Sequence, residues 1–323
     1  MLGFLNLNKS QGFTSHDCVA KVRRFLRLKQ VGHGGTLDPD ATGVLPIALG
    51  RATRLLQFLP TDKAYIGTIK LGIVTTTDDL AGEVISRQPV DHLDLGTITQ
   101  ALEKFHGKIQ QIPPKFSAIQ VGGKRLYDLA RSGVAVDVPV REVEIFSINI
   151  LDWRPRSTRL SSTQEFPELD VEISCGAGTY IRAIARDLGD ILGTGGTLAA
   201  LTRTRSAGFG LDTSVSLEEL EQLLGTEITR EPSRVPLQDL SSIPLIAPQV
   251  ALRHLPELVL PSPLAKRWSQ GQKIPHPEPD ASFSGEFIRI TEEGGDLLGI
   301  SEIMNSTLDQ QLILVPKVVL VGG

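Results

Sequence analysis

The spacing of apolar positions divides the chain into a mixed series of strands and helices. Apolar and polar residues alternate over residues 64–73, and residues 3–9 and 169–175 have the same strand-like character. Apolar residues recur at helical spacing over residues 14–28 and 179–192. Because these elements do not follow the βαβ rhythm of a doubly wound sheet, the pattern predicts an α/β mixed (α+β) fold.

Local signals mark the ends of the two helices. Thr14 and Asp17 have the spacing of a capping box at the start of the first helix. Gly193 stands where the second helix should stop. The other predicted elements are helices over residues 51–59, 97–106 and 124–132, strands over residues 116–121, 138–153 and 197–204, and a loop over residues 158–167.

A change in composition after Leu211 predicts a second domain. Residues 215–260 are acidic and contain several prolines, which is typical of a connector. Residues 261–323 contain short β-type runs separated by turns, and we expect a small all-β domain there. The predicted division is residues 1–245 for the first domain and residues 246–323 for the connector and β domain.

Composition narrows the class of protein. A length of 323 residues suits two domains, and a hydrophobic fraction of 41% suffices for a substantial core. No run approaches the ~18 apolar residues of a membrane-spanning helix, and the N-terminus lacks the basic segment of a signal peptide, so we expect a cytoplasmic protein. With two cysteines and no CxxC or HExxH motif, neither a disulfide framework nor a zinc site is expected.

The net charge of the chain is −4, but the charges are unevenly distributed along it. Residues 1–70 carry ten Lys/Arg against four Asp and no Glu, and residues 104–131 carry six Lys/Arg against one Asp. Residues 261–323 are acidic instead, with five Lys/Arg against eight Asp/Glu. A weakly acidic chain with two basic segments is compatible with binding of a polyanion such as a nucleic acid.

Asp38 lies in a glycine-rich, basic segment, GHGGTLDPDATG, over residues 32–43. Pro39 restrains Asp38 outside the helical region, and the glycines let a large ligand approach the backbone. The segment has Leu37 where a dinucleotide-binding fingerprint needs its third glycine, and no P-loop motif is present. Asp38 therefore suits either a turn or a catalytic carboxylate. His33 in the same segment and Tyr65 on the following strand suit either packing or function.

Arg182 lies in the first turn of the predicted helix over residues 179–192. A cation at this end opposes the helix dipole at a cost of about 0.3–1 kcal/mol. Either the guanidinium reaches water, or an anion such as a carboxylate or a phosphate holds it.

Six segments together resemble the TruB family of tRNA pseudouridine synthases, the bacterial relatives of dyskerin. They follow the family's order and spacing through most of the chain. The tail, residues 261–323, resembles the family's PUA domain more weakly. The segments are GFLNLNKSQGFTSHDCVAKVRR (residues 3–24), GHGGTLDPDATGVLPIALGRATRLLQFL (32–59), DKAYIGTIKLG (62–72), IPPKFSAIQVGGKRLYDLAR (112–131), CGAGTYIRAIARDLG (175–189) and LTRTRSAGF (201–209).

The resemblance implies roles for individual residues. Asp38 matches the catalytic aspartate, Tyr65 the tyrosine that stacks on the target base, and Arg182 the arginine paired with the aspartate, which it could hold through a bidentate fork. His33 matches the histidine that fills the place of the flipped uridine. The other expected substrate-binding residues are Tyr180, Leu201, Lys9 and Lys63.

The implied reaction isomerises uridine 55 of the tRNA T-loop to pseudouridine. The base is flipped out, the glycosidic bond is cleaved, and the uracil is rejoined through C5. The implied fold is the pseudouridine synthase fold with a mixed or antiparallel central sheet, and an insertion over about residues 104–135 would contact tRNA. The expected partner is the T-arm of tRNA, for a monomer that needs no cofactor, metal or protein partner.

The chemical route stays open at this stage. Asp38 could attack C1′, add to C6 of the base, or assist elimination to a glycal. Two other functions also stay open: a tRNA-binding or tRNA-folding module without catalysis, and an aspartate-dependent hydrolase of a nucleoside or sugar.

Overall fold

The computed structural model describes residues 2–90, 93–117, 119–127, 138–155, 166–224, 243–277, 287–305 and 312–320. Its strands are β1 (Gly3–Lys9), β2 (Val31–His33), β3 (Thr42–Leu49), β4 (Lys63–Leu71), β5 (Ile73–Thr75), β6 (Val84–Arg87), β7 (Gly107–Gln111), β8 (Gln120–Val121), β9 (Lys124–Arg125), β10 (Arg141–Arg154), β11 (Glu168–Cys175), β12 (Gly196–Ser206), β13 (Phe209–Gly210), β14 (Leu245–Ile246), β15 (Glu257–Leu260), β16 (Ile274–Pro275), β17 (Phe287–Glu292), β18 (Leu297–Asn305) and β19 (Leu312–Val319). Its α-helices are α1 (Ser15–Phe25), α2 (Leu95–Leu102), α3 (Ile181–Leu192), α4 (Leu217–Leu223), α5 (Pro248–Ala251) and α6 (Ser262–Ser269). The 3-10 helices cover Gly50–Phe58, Glu103–Phe105 and Leu211–Thr213.

One large sheet of mixed direction organises the first domain. Its strands lie in the order β14-β1-β3-β12-β4-β11-β10-β7, with β2 paired to β3 and β13 paired to β12. Its pairs are antiparallel except β3 with β12, where Arg203 lies beside Gly43 in a parallel ladder. The predicted α/β mixed (α+β) fold is confirmed.

The two amphipathic helices are confirmed with narrower bounds. The Thr14 hydroxyl accepts from the Asp17 amide, and the Asp17 carboxylate accepts from the Thr14 amide, which completes the predicted capping box. α3 begins at Ile181 and ends at Gly193, whose φ of 68° is left-handed. The predicted helices over residues 51–59 and 97–106 correspond to Gly50–Phe58, a 3-10 helix, and to α2 with its 3-10 extension.

The segment after residue 115 departs from the prediction. β8 and β9 pair as a hairpin through Gly122 and Gly123, whose φ angles are 59° and 79°. Two left-handed glycines close a two-residue turn, so the helix predicted over residues 124–132 is wrong at its start. Within the described part of the predicted strand over residues 116–121, only residues 120–121 are strand. Residues 128–135 of the insertion and 158–165 of the predicted loop lie outside the described residues.

The C-terminal β domain is confirmed, with one helix that the pattern did not predict. Its sheet has the order β15-β17-β18-β19-β16. The helix, α6, buries Ala265 and Trp268 against this sheet. Its eight residues are too few for a clear helical period, and the prolines at positions 261 and 263 resemble turn signals, although proline is tolerated in a first helical turn.

A shared hydrophobic cluster joins the two domains. Phe4, Leu55 and Phe58 of the first domain pack with Ile300 and Val318 of the β domain. Main-chain carbonyls add polar contacts: Arg51 donates to the Leu320 carbonyl at 2.6 Å, and Arg54 donates to the Val319 carbonyl at 2.9 Å. The β domain is thus packed on the back of β3, the strand that follows the Asp38 segment.

Candidate active site

A cavity of about 390 Å³ opens where the Asp38 segment, the chain after β5, the start of α3 and the middle of β12 meet. Asp38, Asp79, Arg182 and Leu201 all line it. These four residues come from distant parts of the sequence, and the order of strands in the sheet brings them together.

An ion pair between Arg182 and Asp38 lies at the centre of this cavity. The Arg182 Nε lies 3.0 Å from Asp38 Oδ2, and the Arg182 Nη1 lies 3.5 Å from Asp79 Oδ2. Arg182 also donates to the carbonyls of Thr77 and Phe116, at 3.0 and 3.1 Å. Arg182 is only 5% exposed, so its guanidinium does not reach bulk water. Carboxylates offset its unfavourable place in the first turn of the helix.

The pair differs from the expected bidentate fork. One nitrogen faces Asp38, and the other two bind main-chain carbonyls. The guanidinium is therefore fixed by the protein, while the Asp38 side chain stays about 45% exposed. Fixed charge beside an accessible carboxylate is the arrangement that a reacting group needs.

Burial raises the pKa of Asp38 above its ordinary value. Arg182 acts in the opposite direction, and the neighbouring Asp79 raises the pKa further. The attraction of Arg182 lowers the pKa as expected, but it does not overcome the loss of hydration.

The side chains of Ser15 and Lys9 fix the backbone around Asp38. The Ser15 hydroxyl accepts from the Leu37 amide at 2.9 Å and donates to the Leu37 carbonyl at 3.2 Å. The Lys9 ammonium donates to the carbonyls of Pro39, Ser10 and Phe13, at 3.0, 3.1 and 2.7 Å. These bonds hold the main chain on both sides of the carboxylate.

Lys9, which the resemblance led us to expect at the substrate, makes its hydrogen bonds within the protein. Lys9 is 0% exposed, and all three of its donors are used on carbonyls. Burial lowers the pKa of Lys9. Its place in the structure is that of a support for the Asp38 segment.

Tyr65 is buried on β4, with 7% of the residue exposed, and it is not among the residues that line the cavity. Its hydroxyl contacts the Arg203 guanidinium. Burial raises the pKa of Tyr65 to about 12, so the phenol is protonated at neutral pH.

Three other expected substrate-binding residues, His33, Tyr180 and Lys63, are not among the residues that line the cavity. His33 is partly buried with its ring edge-on to His16 at 5.3 Å, and burial lowers the pKa of His33. Tyr180 directly precedes α3, where the Gln111 side chain binds both its amide and its carbonyl. Lys63 starts β4, and burial lowers its pKa.

Comparison with known proteins identifies the family. The model described as "TruB family pseudouridylate synthase (N terminal domain)" matches residues 23–181, and two models of TruB C-terminal domains match residues 182–261 and 256–319. The chain is 53% identical over 316 residues to the tRNA pseudouridine synthase B of Trichormus variabilis, across 98% of this chain and 99% of that protein. The chain belongs to the TruB family.

Further relatives of this TruB chain agree. The tRNA pseudouridine synthase B of Synechocystis is 50% identical over 320 residues, across 99% of this chain and all of that protein. A solved H/ACA ribonucleoprotein bound to a substrate RNA containing 2′-deoxyuridine has a TM-score of 0.69 at 23% identity, covering 99% of this chain and 85% of that chain. An archaeal Nop10–Cbf5 complex gives 0.68 at 25% identity, covering 98% and 85%. The pseudouridine synthase fold and the PUA-like C-terminal domain are confirmed.

Two residues near the TruB site escaped the sequence analysis. Asp79 follows another aspartate in a polar turn, which is usually a solvated feature. Arg203 is one of several arginines on a strand, and nothing in its spacing marks it as buried. A useful signal for Asp79 was available: the cation at Arg182 required an anion.

The described residues contain no group of three or more His, Cys, Asp or Glu side chains arranged to hold a metal ion. In the same parts of the chain, no helix is long and apolar enough to cross a membrane.

Proposed function

We propose that this TruB protein isomerises uridine 55 in the T-loop of tRNA to pseudouridine. Family membership and the names of relatives about 50% identical over the full length support the activity and tRNA as its substrate. The observation that carries the proposal is the Asp38 carboxylate, accessible in a cavity and 3.0 Å from the buried Arg182 guanidinium.

In the proposed reaction, Asp38 acts on the bond between the ribose and uracil. An ionised carboxylate can attack or stabilise an electron-poor carbon, as in glycosidases. Arg182 keeps the carboxylate placed and opposes its protonation. The isomerisation leaves the composition of the nucleotide unchanged: the bond from C1′ to N1 is replaced by one from C1′ to C5, C5 releases its proton, and N1, freed from C1′, takes up a proton.

The surrounding residues hold the detached uracil and keep water away. Leu201 provides an apolar wall of the cavity, and Tyr65 on the neighbouring strand β4 provides the aromatic ring on which the base would stack. His33 fills the place of the flipped base, and Tyr180 and Lys63 contact the bound nucleotide. Base flipping costs a few kcal/mol, which these contacts offset.

The proposed organisation has a catalytic domain over residues 1–245 and a connector with the RNA-binding domain over residues 246–323. The basic face of α1 and the segment over residues 104–131 bind T-arm phosphates, so affinity falls steeply with salt. The protein acts in the cytoplasm as a monomer without an obligate protein partner. Sedimentation of the purified protein, alone and with tRNA, tests the monomer.

One assay tests the function. Unmodified tRNA tritiated at uridine C5 is incubated with the protein, and released tritium is measured. We expect release by the wild type and none by Asp38→Asn. Binding without release would instead support a tRNA-binding or tRNA-folding module, and free uracil would support a hydrolase.

A further inference from the structure

Arg203 is a fully buried arginine beneath the Asp38 segment. It is 0% exposed, and within the described parts of the chain no carboxylate contacts it. Its Nε donates to the Val44 carbonyl at 2.7 Å, its Nη1 to the Thr36 carbonyl at 3.2 Å, and its Nη2 to the Gly35 carbonyl at 3.1 Å. One guanidinium therefore ties together the backbone before and after Asp38.

The same guanidinium reaches Tyr65. Arg203 and Tyr65 lie directly opposite each other on β12 and β4, so their side chains share one face of the sheet. The Tyr65 hydroxyl acts on the pKa of Arg203, which agrees with this register, and since a guanidinium has donors only, a hydrogen bond between the two would have the hydroxyl oxygen as acceptor.

The glycines of the Asp38 segment make this close approach possible. A Cβ on Gly43 would lie 2.3 Å from the Arg203 carbonyl oxygen. Gly35 has a φ of 115°, a left-handed conformation that favours glycine, and its carbonyl accepts from Arg203 Nη2. The Asp38 segment therefore contacts Arg203 at two places, at its main chain through Gly43 and at its guanidinium through Gly35.

We propose that Arg203 is a positioning residue for the pseudouridine synthase reaction, which holds the Asp38 segment and the Tyr65 hydroxyl in one fixed relation. The proposal rests on the function proposed above. The Asp38 segment is a loop and Tyr65 lies on β4, so the two belong to separate elements. Arg203 binds the backbone of the first and lies opposite the second.

The geometry also predicts that lysine does not replace Arg203. Three different nitrogens of one planar fork donate to three carbonyls, and Tyr65 lies opposite on the neighbouring strand. A lysine ammonium places its three donors on a single atom and cannot span them. Arg203→Lys therefore keeps the charge and most of the volume but removes the bridge.

The first experiment compares Arg203→Lys with Arg205→Lys. Arg205 lies two residues along the same strand, is exposed, and pairs with Asp62 at 3.2 Å. Single-turnover tritium release with saturating enzyme should fall roughly 100-fold for Arg203→Lys, because a displacement of about 1 Å has that effect on a reacting pair. The Kd for tRNA should change less than about threefold, since binding is spread over many phosphate contacts. Arg205→Lys should match the wild type in both.

A Tyr65→Phe variant separates positioning from a general loss of stability. Arg203→Lys, Tyr65→Phe and the double variant form a cycle, and the two losses in rate should be less than additive because the residues act through one contact. Additive losses, or an Arg203→Lys rate equal to the wild type, would overturn the proposal.

A spectroscopic measurement gives a readout that does not depend on activity. The chain has three tyrosines, so carbon-13 labelling at tyrosine Cζ gives three signals, and Tyr65→Phe identifies one of them. In Arg203→Lys the Tyr65 signal should shift while the Tyr127 signal stays in place. An unmoved Tyr65 signal would contradict the contact, whereas failure of the wild type to release tritium would contradict only the proposed function.

Discussion

Arg182 joins groups from three parts of the chain that are distant in sequence. Its partners are Asp38, the turn containing Thr77 and Asp79, and the carbonyl of Phe116. Removing one member of a buried charged pair leaves the others without compensation, which is far more costly than losing an exposed ion pair. The consequences for chemistry and for affinity should therefore differ.

We expect Arg182→Met to lower turnover about 100- to 1000-fold, the usual effect of removing one electrostatic contact from an active site. The Kd for tRNA should change little, because the guanidinium is buried and its nitrogens face oxygens of the protein. Tritium release and filter binding measure the two effects. Arg154→Met, which removes exposed ion pairs to Asp152 and Asp170, serves as the control. Equal losses in turnover and affinity would make Arg182 a substrate contact instead.

The pH dependence of turnover should report Asp38. Burial raises its pKa above the ordinary 3.8, and Asp79 contributes to that rise. Since the reaction needs the ionised carboxylate, the rate should fall as pH drops through this raised pKa. Asp79→Asn removes the like charge, so the acid limb of the single-turnover profile should move to lower pH. A limb that moved to higher pH would show that Asp79 acts mainly by holding Arg182.

At the scale of single residues, the sequence revealed those functional candidates that have an unusual feature in their immediate sequence neighbourhood. The Asp38 segment has its glycines and proline, and Arg182 has its unfavourable place at a helix start. The contacts of Asp79 and Arg203 depend on residues about 100 to 170 positions away in sequence, which no local pattern encodes. The supporting contacts of Lys9 were hidden for the same reason, because its three carbonyl partners come together only when the chain folds.

At the scale of elements, the main chains of β3 and β12 approach each other closely beside the site. Gly43 has a φ of 100° and pairs with Arg203 in the short parallel ladder between β3 and β12. Its missing side chain is what allows the parallel pairing beside Arg203. This pairing is the join between the Asp38 segment and the rest of the sheet.

Gly43→Ala should destabilise the fold and abolish most turnover. A left-handed φ costs an alanine roughly 1–2 kcal/mol, and here the Cβ must also displace main-chain atoms at 2.3 Å. Gly271→Ala is the matched control, since its φ is 82° and no atom lies within 4 Å of an added Cβ. Urea denaturation should show the larger loss for Gly43→Ala, and similar losses would refute the steric argument.

Elements long enough to show a repeating apolar pattern could be predicted from the sequence, whereas very short elements could not. α1 and α3 have caps and an apolar face that sequence spacing reveals. The hairpin of β8 and β9, and the two-residue strand β14 that pairs with β1, are too short to have a period. Sheet order was also beyond local reasoning, because pairing joins strands that are distant in the chain.

At the scale of the whole molecule, the two domains share one hydrophobic cluster. The rings of Phe58 and Phe287 pack edge to face at 4.9 Å across their boundary, and Leu55 lies in the same cluster. The tail is therefore more than an RNA-binding attachment, because it covers apolar surface of the catalytic domain.

A chain ending at residue 245 should be unstable or insoluble. Each large side chain exposed by the truncation loses roughly 1.5–3 kcal/mol of burial. Four such residues, Phe4, Val44, Leu55 and Phe58, together lose an amount comparable to the stability of a domain, about 5–15 kcal/mol. Thermal melting tests this, with Phe287→Ala in the full chain expected to lower Tm partially. A truncated protein with the melting temperature of the full chain would contradict it.

The packing of the two domains through this hydrophobic cluster also constrains the distance between the Asp38 carboxylate and the β domain. Because Phe58 and Phe287 belong to one packed cluster, movement of one domain against the other would separate buried apolar surface, which favours a constant distance from the Asp38 carboxylate to the β domain. An RNA that contacted both domains would then have to present its uridine at a set spacing from its second point of contact. Lengthening the intervening stem by a base pair would leave either the base or the far contact out of reach.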